Sequence, residues 1–88
     1  MIELSILLFR CCDNTKKLCN QMRHDKFYYF VDVDYDIPEQ NEDIFFNTMN
    51  FDFIICETFN GDVRKYSKKY NIPVIYHKLG IGFKLITT

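Results

Sequence analysis

Eighty-eight residues set an upper bound of one domain with a modest core. Hydrophobic residues make up 48% of the chain and aromatic rings 17%, nine Phe and six Tyr without Trp, so large rings supply much of what so short a chain can bury. Eleven Lys and Arg against twelve Asp and Glu leave a net charge of −1, which excludes a general electrostatic attraction to nucleic acid or to anionic lipid.

Ile2–Phe9 begins with alternation and ends fully apolar, the pattern of a central strand with one end more exposed. Cys11 and Cys12 follow it. Asp13-Asn14-Thr15 then offers side-chain oxygens to the free N–H groups of a first helical turn, and a helix is expected over Asn14–Arg23 with Leu18, Cys19 and Met22 inward. Phe27–Val33 is rich in aromatic and β-branched residues and reads as a strand, ending in the turn Asp34-Tyr35-Asp36-Ile37-Pro38. Pro38 followed by Glu39, Glu42 and Asp43 marks a second helix start, with Ile44, Phe45 and Met49 as its buried face. Phe51–Cys56 has strand length, and Thr58-Phe59-Asn60-Gly61 is a turn. Asp62–Tyr70 places Val63, Tyr66, Ser67 and Tyr70 at helical spacing, with Arg64, Lys65, Lys68 and Lys69 outward. Ile72–Tyr76 is a fourth strand, with Pro73 at its start. Gly80 and Gly82 break Leu79–Thr88, which leaves a short edge strand and a terminal turn both open.

Strict alternation with short connections predicts a parallel sheet with right-handed crossovers. The expected fold is a small Rossmann-like or flavodoxin-like α/β domain of three layers spanning residues 1–88. It has four mainly parallel strands in the order 2-1-3-4 and helices on both faces. In such a sheet all four strand ends fall along one edge, where open α/β sheets bind ligands. That edge would gather Cys12, Asp13, Asp34, Asp36, Glu57, Asn60 and His77, and these are the candidate ligand-binding residues.

Cys11 and Cys12 stand just after a strand and at a helix N-terminus. There the positive end of the dipole favours a thiolate. If the chain is an enzyme, these two are its candidate catalytic residues. Phe9-Arg10-Cys11-Cys12-Asp13-Asn14, Val31-Asp32-Val33-Asp34 and Lys69-Tyr70-Asn71-Ile72-Pro73-Val74-Ile75-Tyr76 resemble segments of the thioredoxin and glutaredoxin family. The resemblance implies a thioredoxin-like fold as the alternative, a thiol role for Cys11 or Cys12, and a cis-proline role for Pro73. It lacks the C-x-x-C spacing of a dithiol redox centre.

Asp32, Asp34 and Asp36 alternate and so share one side of a strand end, where carboxylates could hold Mg²⁺ or a ribose. No G-x-G-x-x-G and no P-loop accompanies them. Cys12, Cys56, Glu57 and His77 are metal-ligand types without local ligand spacing, so no metal and no cofactor is assigned. With only Ser5 and Ser67 and no nucleophile elbow, serine hydrolysis is not expected.

The expected function is therefore a non-catalytic binding or regulatory module acting by protein contact, as a homodimer or on another protein. It would be an accessory protein of the size phages and bacteria carry. A thiol-dependent redox protein, and a nucleotide or small-ligand binder at the strand edge, are the alternatives. Nucleic acid and membrane are not expected partners. Met1–Phe9 carries Glu3 and no basic leader, so a cytoplasmic, reducing compartment with free thiols is expected.

Overall fold

The computed structural model describes residues 3–22, 28–58, 60–78 and 81–86. In chain order the elements are β1 (Leu4–Phe9), α1 (Asp13–Met22), β2 (Tyr28–Val33), α2 (Glu39–Met49), β3 (Phe53–Cys56), α3 (Gly61–Tyr70), β4 (Val74–Lys78) and β5 (Gly82–Ile86). They form a small α/β domain with one mostly parallel five-stranded sheet, ordered β2-β1-β3-β4-β5. β1 pairs in parallel with β2 and β3, and β3 with β4, whereas β5 returns antiparallel along β4. Five strands replace the expected four, because the glycine-broken tail closes a hairpin. Ile81 N–H donates to Lys78 O at 3.0 Å and Gly82 takes φ +83°, a conformation glycine adopts without strain.

Two apolar layers enclose the sheet. Alternation sends Leu7 and Phe9 of β1, Val33 of β2, Ile54 and Cys56 of β3 and Val74 of β4 to one face, where they meet Phe46 of α2 and Val63 and Tyr66 of α3. Ile6, Leu8, Phe30 and Ile55 point the other way, onto Cys11 and onto Cys19 of α1. The first layer is a ring cluster centred on Phe46, which stacks on Tyr70 at 4.4 Å and meets Tyr66 at 4.9 Å between centroids. This is how so many aromatics serve so short a chain: each ring buries a large area.

Several boundaries differ from the sequence expectation for local reasons. The third strand begins at Phe53 rather than Phe51, because Asp52 is engaged with Ser5. Ser5 N–H donates to Asp52 Oδ2 (2.9 Å) and Asp52 N–H to Ser5 O (2.7 Å). The fourth begins at Val74 rather than Ile72. Pro73 has no N–H to give, and Ile72 spends its own on Ser67 O at the end of α3. Helices α2 and α3 both end on an asparagine in the left-handed conformation, Asn50 and Asn71, whose N–H groups close onto Phe46 O and Ser67 O.

Two inward faces are also corrected. Ile44 is 70% exposed, and Glu42 and Phe46 take the buried stripe of α2. Leu18 lies outward on α1, where Thr15 and Cys19 are buried. In each case the core stripe is rotated by no more than about a quarter turn from where the apolar residues alone would put it. Ile2, Arg23, Phe27, Phe59, Leu79, Gly80 and the terminal threonines of the expected elements lie outside the described residues. Pro73 follows a trans bond, so the cis-proline implied by the thioredoxin resemblance is not present. No described helix is long and apolar enough to cross a membrane.

Candidate functional site

β1 ends at Phe9, and Arg10 turns the chain with φ +54° while its N–H donates to Val33 O at 2.8 Å. The turn sends Cys11 inward and Cys12 outward. Cys11 is buried, with its S–H directed at Ile55 O (3.4 Å). Burial, and then the negative charge of Glu57, push its thiol far above the usual range. Of the two adjacent thiols, Cys11 is thus closed into the core and Cys12 is the one at the surface. Cys56 behaves alike, its pKa pushed up to about 11 by burial and then by Glu57.

Cys12 is the N-cap position of α1, with its carbonyl accepting from Lys16 N–H at 3.0 Å. Glu57, one residue past β3, reaches across to it. One carboxylate oxygen accepts the Cys12 N–H, and the other accepts the Cys12 S–H at 2.9 Å and the Thr15 O–H at 2.9 Å. Thr15 Oγ1 also lies 2.7 Å from His77 Nδ1 on β4. Thr15 has one proton, and Glu57 as a carboxylate has none to give. The Thr15 proton therefore points to Glu57, and His77 Nδ1–H donates to Thr15. His77 is buried beneath Phe83, with ring centroids 4.5 Å apart.

Burial pulls the Glu57 carboxyl upward. The hydrogen bonds from Cys12 and Thr15 and the field of His77 outweigh it, and the group is held below the usual carboxylate range. Its charge also faces the positive end of α1. Glu57 thereby caps the helix from another strand, supplying what no side chain within α1 supplies. The arrangement gives the exposed thiol a proton acceptor. It also places a negative charge where an incoming phosphate would need the helix N–H groups, so an anionic ligand would have to displace Glu57.

The parallel sheet thus brings Cys12, Glu57 and His77 together, from residues up to 65 positions apart in number. The other candidates share the edge but not the array. Asp34 pairs with Lys16 Nζ at 2.8 Å, and Asp36 pairs with Arg10. Asp13 is an exposed acid in the first turn of α1. Asp32 lies within β2, yet is exposed. Asn60 caps α3, its Oδ1 accepting from Asp62 N–H and Val63 N–H, both at 3.1 Å. Among the described residues no group of three or more His, Cys, Asp or Glu is arranged to hold a metal ion.

Thr15 was legible only as capping chemistry. Its place three residues after Cys12, in the first turn of a helix lying on the sheet, was the available signal. Glu42 was likewise read as a dipole acid. It is 1% exposed and accepts from Lys65 Nζ (3.2 Å), Lys69 Nζ (3.4 Å) and Tyr70 O–H (3.2 Å), joining α2 to α3. Burial raises its pKa, but those partners reverse the effect and hold it low. Its spacing of four from Phe46 and seven from Met49 put it on the inward stripe. No protein-family model, curated protein or solved structure matches this chain.

Proposed function

We propose that this domain is a non-catalytic binding or regulatory module that works through protein contact. The observation that carries this reading is the apolar β4–β5 hairpin. Phe83 and Leu85 are 44% and 53% exposed at alternate positions of β5, and Ile81, in the turn before it, is 65% exposed. Phe83 and Leu85 pair with His77 and Ile75, on the same face of the sheet as α1. Exposed apolar side chains concentrated on one edge of a small domain mark a contact site. The strand order β2-β1-β3-β4 with parallel pairing supports a flavodoxin-like, Rossmann-related description in which the antiparallel β5 is an addition.

The test is cross-linking from the hairpin in the native host, followed by mass spectrometry. A defined protein, or a second copy of the chain, linked through residues 81–86 is the expected result. A monomer that yields no specific cross-link there refutes the reading.

The Cys12–Glu57 contact favours a second reading, a thiol-dependent role for Cys12. Here the pH dependence of alkylation decides. A thiol that reacts only above its unperturbed pKa of roughly 8.5 is no activated nucleophile, and that outcome ends the reading. The same experiment should label Cys12 in the folded protein while Cys11, Cys19 and Cys56, all buried, react only after unfolding.

A further inference from the structure

We propose that the occupant of the hairpin surface is a second copy of this chain, added edge to edge through β5; the inference rests on the protein-contact reading above. β5 is a terminal strand of the sheet, so half of its backbone N–H and C=O groups face outward without a strand partner among the described residues. The opposite edge, β2, carries Asp32 within the strand, a charged side chain of the kind that disfavours edge pairing. β5 carries one charge, Lys84, between Phe83 and Leu85.

The sequence of β5 is self-complementary in an antiparallel pair. A two-fold axis normal to the sheet keeps each face continuous, so paired residues must have the same parity. Full overlap of Gly82–Ile86 then centres the axis on Lys84 and sets Phe83 of each copy opposite Leu85 of the other. Both apolar pairs fall on the α1 face of the sheet, and the two sheets become one of ten strands. The interface is isologous and closes, so it stops at two copies.

The area sets the strength. Phe83 and Leu85 together expose on the order of 200 Å² of apolar surface. With the paired edge and Lys84, roughly 400 Å² per copy is covered, so the total of roughly 800 Å² falls in the range of weak, transient contacts. Such a dimer is weak and reversible, with dissociation in the micromolar range or above. Lys84 facing its own copy weakens it further, and relieving that repulsion strengthens pairing by roughly 2–5-fold.

The experiment is sedimentation equilibrium on the full chain from about 1 µM to 1 mM, a span that brackets so small an interface. The expected mass climbs from 10.6 kDa toward twice that value. Added salt should promote the dimer by screening Lys84. Leu85→Glu should return the chain to monomer with an unchanged far-UV spectrum, and Ile44→Glu, at an exposed position on α2, should leave association intact. A second measurement does not depend on the folding of Leu85→Glu. An equimolar mixture of wild type and Lys84→Glu should form the mixed dimer in preference to either homodimer, because lysine then faces glutamate.

A mass of 10.6 kDa at every concentration overturns the inference. So does a dimer indifferent to both Leu85→Glu and the Lys84 mixture. A monomer that is nonetheless cross-linked to a different protein through residues 81–86 overturns self-pairing while leaving the contact reading standing. A monomer with no partner sinks both.

Discussion

Replacing Glu57 by Gln tests whether the strand-edge array is held by charge or merely by shape. The carboxylate accepts from Cys12 N–H on one oxygen, and from the Cys12 thiol and the Thr15 hydroxyl on the other. A glutamine keeps one acceptor and puts an NH₂ donor against the remaining donors, so at least one hydrogen bond to a charged group is lost. Such bonds contribute about 1.5–3 kcal/mol. Glu57 is half-buried, and water screens part of that, so the expected loss is about 1–2 kcal/mol. In a domain of this size that corresponds to a Tm lower by roughly 4–16 °C.

The pH dependence supplies the sharper arm. The folded protein holds Glu57 below its ordinary pKa, so its contribution is present above about pH 4.3, the unfolded value. That contribution falls away as pH drops through the lower folded value. The gap between wild type and Glu57→Gln should therefore be full at pH 7 and shrink as the solution is acidified below about pH 4. Urea denaturation at the two pH values measures it. Equal stabilities at pH 7, or a gap that persists unchanged at pH 3, would refute the capping role of the charge.

Thr15→Val keeps the shape but removes the hydroxyl between Glu57 and His77, leaving the buried Nδ1–H without its acceptor. It should cost about 1–3 kcal/mol by urea denaturation, and a neutral result would mean that water replaces the bond. Asn60→Ala removes the cap of α3 and should cost about 1 kcal/mol, with Asn60→Asp largely retaining it. Phe46→Ala opens the centre of the ring cluster and should cost about 3–5 kcal/mol. That is a large share of the roughly 5–15 kcal/mol that holds a domain folded. Loss of the cooperative thermal transition is the expected readout, and an unchanged Tm would contradict the burial of that ring.

Much of the fold is written locally. Runs of Leu, Ile, Phe and Tyr bounded by Asp, Asn, Pro and Gly have strand or helix periods that no tertiary context needs to supply, and alternation of the two implies a parallel sheet. The strand ends carry Cys12, Glu57 and His77 for the same reason. What failed was facing. Ile44 and Leu18 are apolar and exposed, while Glu42 and Thr15 are polar and buried. A helix buries whichever stripe its crossing geometry turns toward the sheet, and polar residues there survive when partners wait on the neighbouring element.

The sequence by itself determined seven of the eight elements, their order and the reactive groups at the strand ends, because periodicity, caps and turn residues act over a few positions. Only the tertiary structure decided which groups meet. Glu57 finds Cys12 and Thr15 across more than 40 residues, and Thr15 finds His77 across 62. It also decided that Cys11 is sealed in while Cys12 is exposed, and that the glycine-broken tail becomes an edge strand. Those outcomes depend on register and helix rotation, which are set by packing over the whole sheet and leave no local mark in the chain.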